Sequence, residues 1–131
     1  MIMNRVLKKY LFLSCFPVLG WAQQVQSITM LQDGIHHWNL LHPNRTYMRY
    51  ADTDYKNIAD NLIAYQNSDG GWLKNVDWLG ALNVDSVKST LSNFEKQSTL
   101  DNRNTFSQIE YLADTYVLTN EDKYLSLIHI S

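Results

Sequence analysis

The apolar residues of this chain recur every three or four positions, and this spacing limits the folds that the chain can adopt. It is clearest between Thr53 and Gly70, where Ile58, Leu62 and Tyr65 share one helical face. No segment shows the sustained alternation of apolar and polar residues that half-buried strands require. The sequence therefore predicts an all-α fold.

The same spacing predicts four helices. They run from Ser27 to Leu41, from a cap at Thr53 or Asp54 to a stop at Gly70, from Asp85 to about Lys96, and from Asn104 or Thr105 to Leu118. The buried face of the first helix should consist of Ile28, Leu31, Ile35, Trp38 and Leu41. That of the last should consist of Phe106, Ile109, Leu112, Ala113, Tyr116 and Val117. A turn at Thr119 to Asp122 carries a capping pattern for a further helix.

Composition excludes several classes of partner. The 131 residues, 45% of them apolar, suffice for one modest domain with a packed core. Eleven basic residues against thirteen acidic ones give a net charge of -2. This balance provides neither the basic field that nucleic acid requires nor a polybasic surface for a membrane.

The first 22 residues have the pattern of a secretory signal peptide. Arg5, Lys8 and Lys9 precede an apolar run of ten residues, 10–19, and a small-residue cleavage pattern at 20–22. Ten residues are too few to cross a hydrocarbon layer of roughly 30 Å as a helix, so a permanent anchor is the weaker alternative. We expect a secreted protein, extracellular or periplasmic, that is free of the membrane once the signal is removed.

The single cysteine, Cys15, lies inside this signal segment. Its surroundings make a poor lipoprotein box, although lipidation stays open. A mature chain without cysteine has neither a disulfide nor a thiol nucleophile. The adjacent His36 and His37 point about 100° apart on a helix, so they do not form a metal-binding pair.

The last seven residues, 125–131, read LSLIHIS and resemble the translation of a sequencing adapter. We therefore expect the domain to occupy residues 23–124 and the natural protein to continue beyond them. On this interpretation His129 has no chemical role.

Two loops carry the candidate functional residues. In the first, Gly70 and Gly71 precede Trp72, Lys74 and Asn75. A glycine pair allows positive φ and a close approach, so the indole could stack on a sugar ring while the lysine and asparagine bind its carboxylate and hydroxyls. The alternative is that Trp72 packs back onto the preceding helix.

The second loop contains Asp101 and Asn102, just before the last helix. Adjacent carboxylate and amide oxygens are hard ligands suited to calcium, whereas the alternative is an ordinary helix cap. The sequence has neither a phosphate-binding glycine loop nor a G-x-S-x-G serine motif.

The two loops together resemble a known family. The segments IADNLIAYQNSDGGWLKN (58–75) and STLDNRNTFSQIEYLADTY (98–116), followed by NEDKY, are similar to the amino-terminal part of bacterial pectate lyases of polysaccharide lyase family ten. The resemblance covers roughly residues 55–124. It departs from the family at Leu73, where proline is usual, and at Arg103 and Asn104, which replace a Gly-Ala pair.

This resemblance implies an incomplete α/α toroid of helix pairs belonging to a calcium-dependent enzyme that cleaves polygalacturonate by β-elimination. It implies that Asp101 is the calcium ligand, that Asn102 lies beside it, and that Trp72, Lys74 and Asn75 line the substrate groove. The base in such enzymes is an arginine much further along the chain, and no residue here matches it. We therefore expect these 131 residues to lack lyase activity.

Other classes stay open at this stage. A non-catalytic carbohydrate-binding domain would use the same side chains without a base. A helical protein-interaction domain of tetratricopeptide type should show a repeat of about 34 residues, which the sequence lacks. An unsaturated uronyl hydrolase would need a catalytic carboxylate, for which Asp69 and Asp77 are candidates, although both read as solvated loop residues. The sequence does not predict an oligomeric state.

Overall fold

The computed structural model of this chain describes residues 27–81 and 98–125. These residues form three α-helices, α1 (Gln32–Leu41), α2 (Tyr55–Tyr65) and α3 (Phe106–Thr119), and no β-strand. Short 3-10 turns lie at Ile28–Leu31, Asp101–Arg103 and Asp122–Tyr124. The all-α prediction is confirmed for this part of the chain. The helix predicted at 85–96, the signal segment and residues 126–131 lie outside the described residues, and the toroid stays a prediction.

Helix α2 forms the centre of the core and packs against α3. Ile58, Leu62 and Tyr65 are buried on one face, as the spacing predicts, and Asp54 is the N-cap residue. The helix ends at Tyr65 rather than at Gly70, because Gln66 adopts an extended conformation. None of the described helices is long and apolar enough to cross a membrane.

The buried face of α3 agrees only in part with the predicted one: Leu112 is buried as predicted, and Ile109 and Tyr116 pack against the core. Phe106 and Val117 are 55% and 79% exposed, whereas the residues that face the core are Ser107, Gln108, Tyr111, Leu112 and Thr115. Polar side chains are tolerated here because they form hydrogen bonds: Thr115 Oγ1 donates to the Tyr111 carbonyl at 2.8 Å. In the first predicted helix, Ile28 and Leu31 of the 3-10 turn and Ile35 of α1 are buried as predicted, whereas Leu41 at the end of α1 is exposed.

The segment after α2 belongs to the core although it has no regular structure. Val76, Trp78 and Leu79 are buried. The amide of Tyr50 donates to the Leu79 carbonyl at 2.8 Å, and Asn61 Nδ2 of α2 donates to the Trp78 carbonyl at 2.8 Å. Helix α2 and the loop that precedes it therefore hold this segment from two sides.

Asp77 is fully buried, so the interpretation of this residue as a solvated loop carboxylate is wrong. Arg49 donates two hydrogen bonds to its two carboxylate oxygens, each of 3.0 Å, and Tyr47 Oη donates a third at 2.9 Å. Burial, together with the hydrogen bond to Asp77, raises the pKa of Tyr47. A charged group this deep is stable only with such partners, and these bonds fix residues 76–79 against residues 47–49.

The hydroxyl of Tyr65 gives a first testable prediction. It is buried without a hydrogen-bond partner among the described residues, and burial raises its pKa to about 12. Replacing Tyr65 by Phe removes an unsatisfied polar group, so the free energy of unfolding should stay the same or rise by up to about 1 kcal/mol. Because the folded pKa exceeds the unfolded value of about 10, the stability linked to this group is present below about pH 10 and is lost as the pH rises through about 12.

Tyr124→Phe is the matched control, since Tyr124 Oη donates to Asp60 Oδ1 at 3.0 Å. Loss of this hydrogen bond should lower the free energy of unfolding by about 1 kcal/mol. Urea unfolding at neutral pH and at about pH 11 measures both variants. An equal loss of stability in the two variants would contradict the assignment of an unpaired hydroxyl to Tyr65.

Candidate functional site

The glycine pair brings the first loop against the second. Gly70 has φ of 84°, which closes a turn in which its amide donates to the Asn67 carbonyl at 2.9 Å. A Cβ on Gly71 would lie only 2.5 Å from Cβ of Ser98. Ser98 in turn donates its hydroxyl hydrogen to Asp69, which lowers the pKa of that exposed carboxyl. The close approach that the glycines permit is therefore an approach to this chain's own second loop.

Trp72 does not present its indole to a ligand. Its exposure is 0%, and Nε1 donates to the Leu62 carbonyl at 2.7 Å. That carbonyl belongs to the last turn of α2, where carbonyl groups lack partners within the helix. The prediction that Trp72 stacks on a sugar is therefore wrong, and the alternative, an indole packed back onto the preceding helix, describes the structure. Burial of the large ring and satisfaction of a helix-end carbonyl favour this position together.

The backbone of Trp72 connects the two loops. Its carbonyl accepts from Asn104 Nδ2 at 2.8 Å and from the Thr99 amide at 3.3 Å, and its own amide donates to Thr105 Oγ1 at 3.3 Å. Three hydrogen bonds thus join the backbone of one residue in the first loop to both ends of the second.

These bonds fix the polarity of a buried chain of amides. The Trp72 carbonyl can only accept, so Asn104 must present its Nδ2 there and its Oδ1 towards α3. Gln108 then donates its Nε2 to Asn104 Oδ1 at 2.9 Å. What remains is Gln108 Oε1, an acceptor that is buried without a hydrogen-bond partner among the described residues.

The second loop is held in a strained conformation. Arg103 and Thr105, on either side of the buried Asn104, have φ of 62° and 69°. Such values are unfavourable for residues with a Cβ. Thr105 Oγ1 and Asn104 Nδ2 both donate to the Thr99 carbonyl, at 2.9 and 3.2 Å. These bonds offset the strain and set the position of Asp101.

Lys74 and Asp101, 27 positions apart, form an ion pair between the two loops. They line a small cavity of about 20 Å³. Its other polar lining residues are Asp33 of α1 and Asn104, Ser107 and Gln108. Two of the predicted site residues are therefore brought together. Sequence analysis missed Asp33, Ser107 and Gln108. The one indication for Gln108 was its place in residues 98–116, the second segment that carries the family resemblance.

The two predicted asparagines are placed differently. Asn75 has φ of 58° and a buried Oδ1 without a hydrogen-bond partner in the described part of the chain. It does not line the small cavity. The backbone of Asn102 lies in the 3-10 turn Asp101–Arg103, and its side chain is outside what the structure describes. The roles assigned to both residues stay predictions.

The donors around the cavity suit a hard cation. The carboxylates of Asp101 and Asp33 and the amide oxygen of Gln108 are oxygen ligands of the kind that calcium prefers, whereas thiolate or imidazole would favour zinc or copper. The described residues contain no group of three His, Cys, Asp or Glu side chains that could hold a metal. Calcium takes six to eight oxygens, so an ion here would need further ligands from water or from a bound anion.

A wider depression of about 550 Å³ shares Asp33 with the small cavity. Its charged lining includes Arg49, Asp33 and Asp52, and Arg49 is already paired with Asp77. Arg49 is held by a fully buried carboxylate, whereas Lys74 is paired with an exposed one, so the ammonium of Lys74 is the better candidate to bind an acidic ligand.

Comparison with known proteins was made with family models, curated proteins and solved structures. Residues 66–130 match the family model for pectic acid lyase. The matched segment contains both loops and all of α3. The searches of curated proteins and of solved structures gave no match. The chain is therefore pectate lyase-like over this segment, and its assignment to family ten stays a prediction.

Trp72→Phe tests the structural role of the indole. The variant leaves the Leu62 carbonyl without its donor and creates a small cavity, so the free energy of unfolding should fall by about 2 to 4 kcal/mol. Trp38→Phe is the control, because Trp38 is only partly buried and its Nε1 donates to Tyr47 Oη. The free energy of unfolding should fall less in Trp38→Phe than in Trp72→Phe. Denaturant unfolding compares the two, and an unchanged stability of Trp72→Phe would show that the indole is not part of the core.

Strain at Arg103 can be measured by comparing Arg103→Gly with Arg103→Ala. Both variants remove the exposed ion pair of Arg103 with Glu110, but only glycine relieves the positive φ. We expect the glycine variant to be more stable than the alanine variant by about 1 kcal/mol. Thermal unfolding gives the difference. Equal stabilities would indicate that the backbone at residue 103 is not in the left-handed region.

Proposed function

We propose that this chain supplies the calcium-binding and substrate-binding part of a secreted pectate lyase that cleaves polygalacturonate by β-elimination. The family match over residues 66–130 supports the class of enzyme. The single observation that supports the site is the contact between Lys74 and Asp101, which joins a cation and a carboxylate from the two matched loops.

The chemistry explains why such a pair is useful. β-Elimination removes the proton on C5 of a uronate, next to its carboxylate, and negative charge then accumulates on that carboxylate. Calcium, when bound, supplies positive charge that stabilises the developing anion. In our proposal Asp101 holds the ion, and the ammonium of Lys74 binds the substrate carboxylate. Asn75 and Asn102 donate hydrogen bonds to substrate oxygens.

Trp72 has an indirect part in this proposal. Its buried indole fixes the first loop to α2, and its backbone amide and carbonyl fix the second loop, so the positions of Lys74 and Asp101 both depend on it. A site that must place two charges within hydrogen-bond distance needs such rigid support.

The catalytic base is not assigned to any residue of this chain. In the family that the sequence resembles the base is an arginine, and Arg103 does not match its context, since it lies exposed in a pair with Glu110. We therefore expect these residues to bind oligogalacturonate without cleaving it.

The hydrolase alternative is less well supported. It needs a carboxyl group that can give up a proton near neutral pH. Asp77 is buried and receives hydrogen bonds from Arg49 and Tyr47, and the Ser98 hydroxyl lowers the pKa of Asp69. Neither carboxyl group is placed to act as a general acid.

Trigalacturonate binding to the 131-residue chain tests the proposal. By isothermal titration calorimetry, binding should require calcium and disappear when a chelator is added. Asp101→Asn should weaken it about tenfold or more, because a charge-assisted contact is lost. Lys56→Met is the control, since Lys56 forms a comparable exposed pair with Glu121 on another part of the surface. It should bind as the unaltered chain does.

Two results would count against the proposal. Binding that a chelator and Asp101→Asn both leave unchanged would favour a carbohydrate-binding domain that does not use calcium. A rise in ultraviolet absorbance from unsaturated product would show that the base lies within these residues after all.

A further inference from the structure

The charged residues that line the small cavity are two carboxylates, Asp101 and Asp33, and one ammonium group, Lys74. Gln108 lines it as well; this residue is only 3% exposed, and its Oε1 is buried without a hydrogen-bond partner among the described residues. Because Asn104 Nδ2 donates to the Trp72 carbonyl and Gln108 Nε2 donates to Asn104 Oδ1, the unpaired atom of Gln108 is an oxygen rather than an N–H group. Since two carboxylates and one ammonium line the cavity, the space favours a cation.

The size of the cavity limits what can enter it. About 20 Å³ accommodates one water-sized particle, so a single ion or water fits and a sugar ring does not. The positive group at this cavity is the ammonium of Lys74, which contacts Asp101 Oδ2. Lys74 is 32% exposed, and the four-carbon stem of a lysine allows its ammonium to move towards solvent while the backbone stays in place.

We propose that Lys74 is the built-in counterion of this cavity, and that its ammonium leaves Asp101 when a divalent cation enters. This inference rests on the proposed function, because it takes Asp101 as the ligand of that cation. Once displaced, the ammonium is available to the carboxylate of a uronate. Lys74 is then paired with Asp101 when no divalent ion is bound, and with the substrate carboxylate when the ion is bound.

Charge explains the exchange. Asp101 and Asp33 with Lys74 carry a net charge of -1, since two negative groups face one positive one. A divalent cation on Asp101 makes the cluster positive, so that it repels the ammonium and attracts a carboxylate. Calcium and uronate should therefore bind with positive coupling, each raising the affinity for the other.

The experiment measures binding of calcium alone by isothermal titration calorimetry, with the 131-residue chain and three variants. Lys74→Met keeps most of the stem and removes the competing charge, so calcium should bind about tenfold more tightly. Lys56→Met removes a lysine from the remote pair with Glu121 and should leave calcium affinity unchanged. Asp101→Asn should abolish calcium binding. Thermal unfolding checks that each variant is folded.

A second titration, with trigalacturonate, separates this inference from the proposed function. In the unaltered chain calcium should raise trigalacturonate affinity, and in Lys74→Met this gain should be largely lost although calcium binds more tightly. If calcium affinity is the same in Lys74→Met as in Lys56→Met, or if none of the proteins binds calcium, the exchange is wrong. Calcium-dependent trigalacturonate binding would in that case leave the proposed function standing.

The opposite pattern is equally informative. Tighter calcium binding by Lys74→Met, with no trigalacturonate binding by any of the proteins, would support the exchange and contradict the proposed substrate.

Discussion

The arrangement of both loops depends on the backbone amide and carbonyl of Trp72. Its carbonyl accepts hydrogen bonds from the second loop and its amide donates one, while the indole of the same residue is buried against the end of α2. A single residue thus ties the helical core to two loops that are remote in sequence. Because buried backbone groups must be satisfied, the second loop can take only conformations that keep these bonds.

One consequence concerns the chemistry of the cavity beside α3. A backbone carbonyl cannot donate, so each amide in the chain from Trp72 through Asn104 to Gln108 has a fixed orientation, and the chain ends in an oxygen. The unpaired acceptor of Gln108, a residue that lines the cavity together with Asp101, therefore follows from the backbone carbonyl of Trp72. The strained φ values of Arg103 and Thr105 are the cost of this arrangement, and they occur where the candidate ligand is presented.

Sequence analysis predicts the helices and the pairing of the two loops better than it predicts which side chains are buried. Apolar spacing located α1, α2 and α3, and the family resemblance of the two loops predicted that Lys74 and Asp101 lie close together, as they do. Sequence analysis predicted the packing of Leu112, Ile109 and Tyr116 of α3 but missed the burial of Gln108 and Thr115, which are accommodated through hydrogen bonds that form only in the folded chain.

The error at Trp72 has a different physical origin. A glycine pair before an aromatic residue is compatible with an exposed ring and with a buried one, and the sequence contains nothing that decides between them. In the structure the choice depends on two tertiary contacts, the Leu62 carbonyl that accepts from the indole and Ser98, which leaves no room for a side chain at Gly71. Leu62 belongs to α2 and Ser98 to the second loop, so neither contact can be predicted from the residues around the glycine pair.

The anchors on either side of Lys74 explain how a rigid site can contain one movable charge. Trp72 is fixed in the core on one side, and on the other Asp77 is fixed by Arg49 and Tyr47. The backbone between Trp72 and Asp77 has little freedom, because Val76 and Trp78, which flank Asp77, are buried as well. Motion at Lys74 is therefore confined to its half-buried side chain. An ammonium on a flexible stem can exchange partners without disturbing the loops, whereas displacement of a backbone group would break the hydrogen bonds that position Asp101.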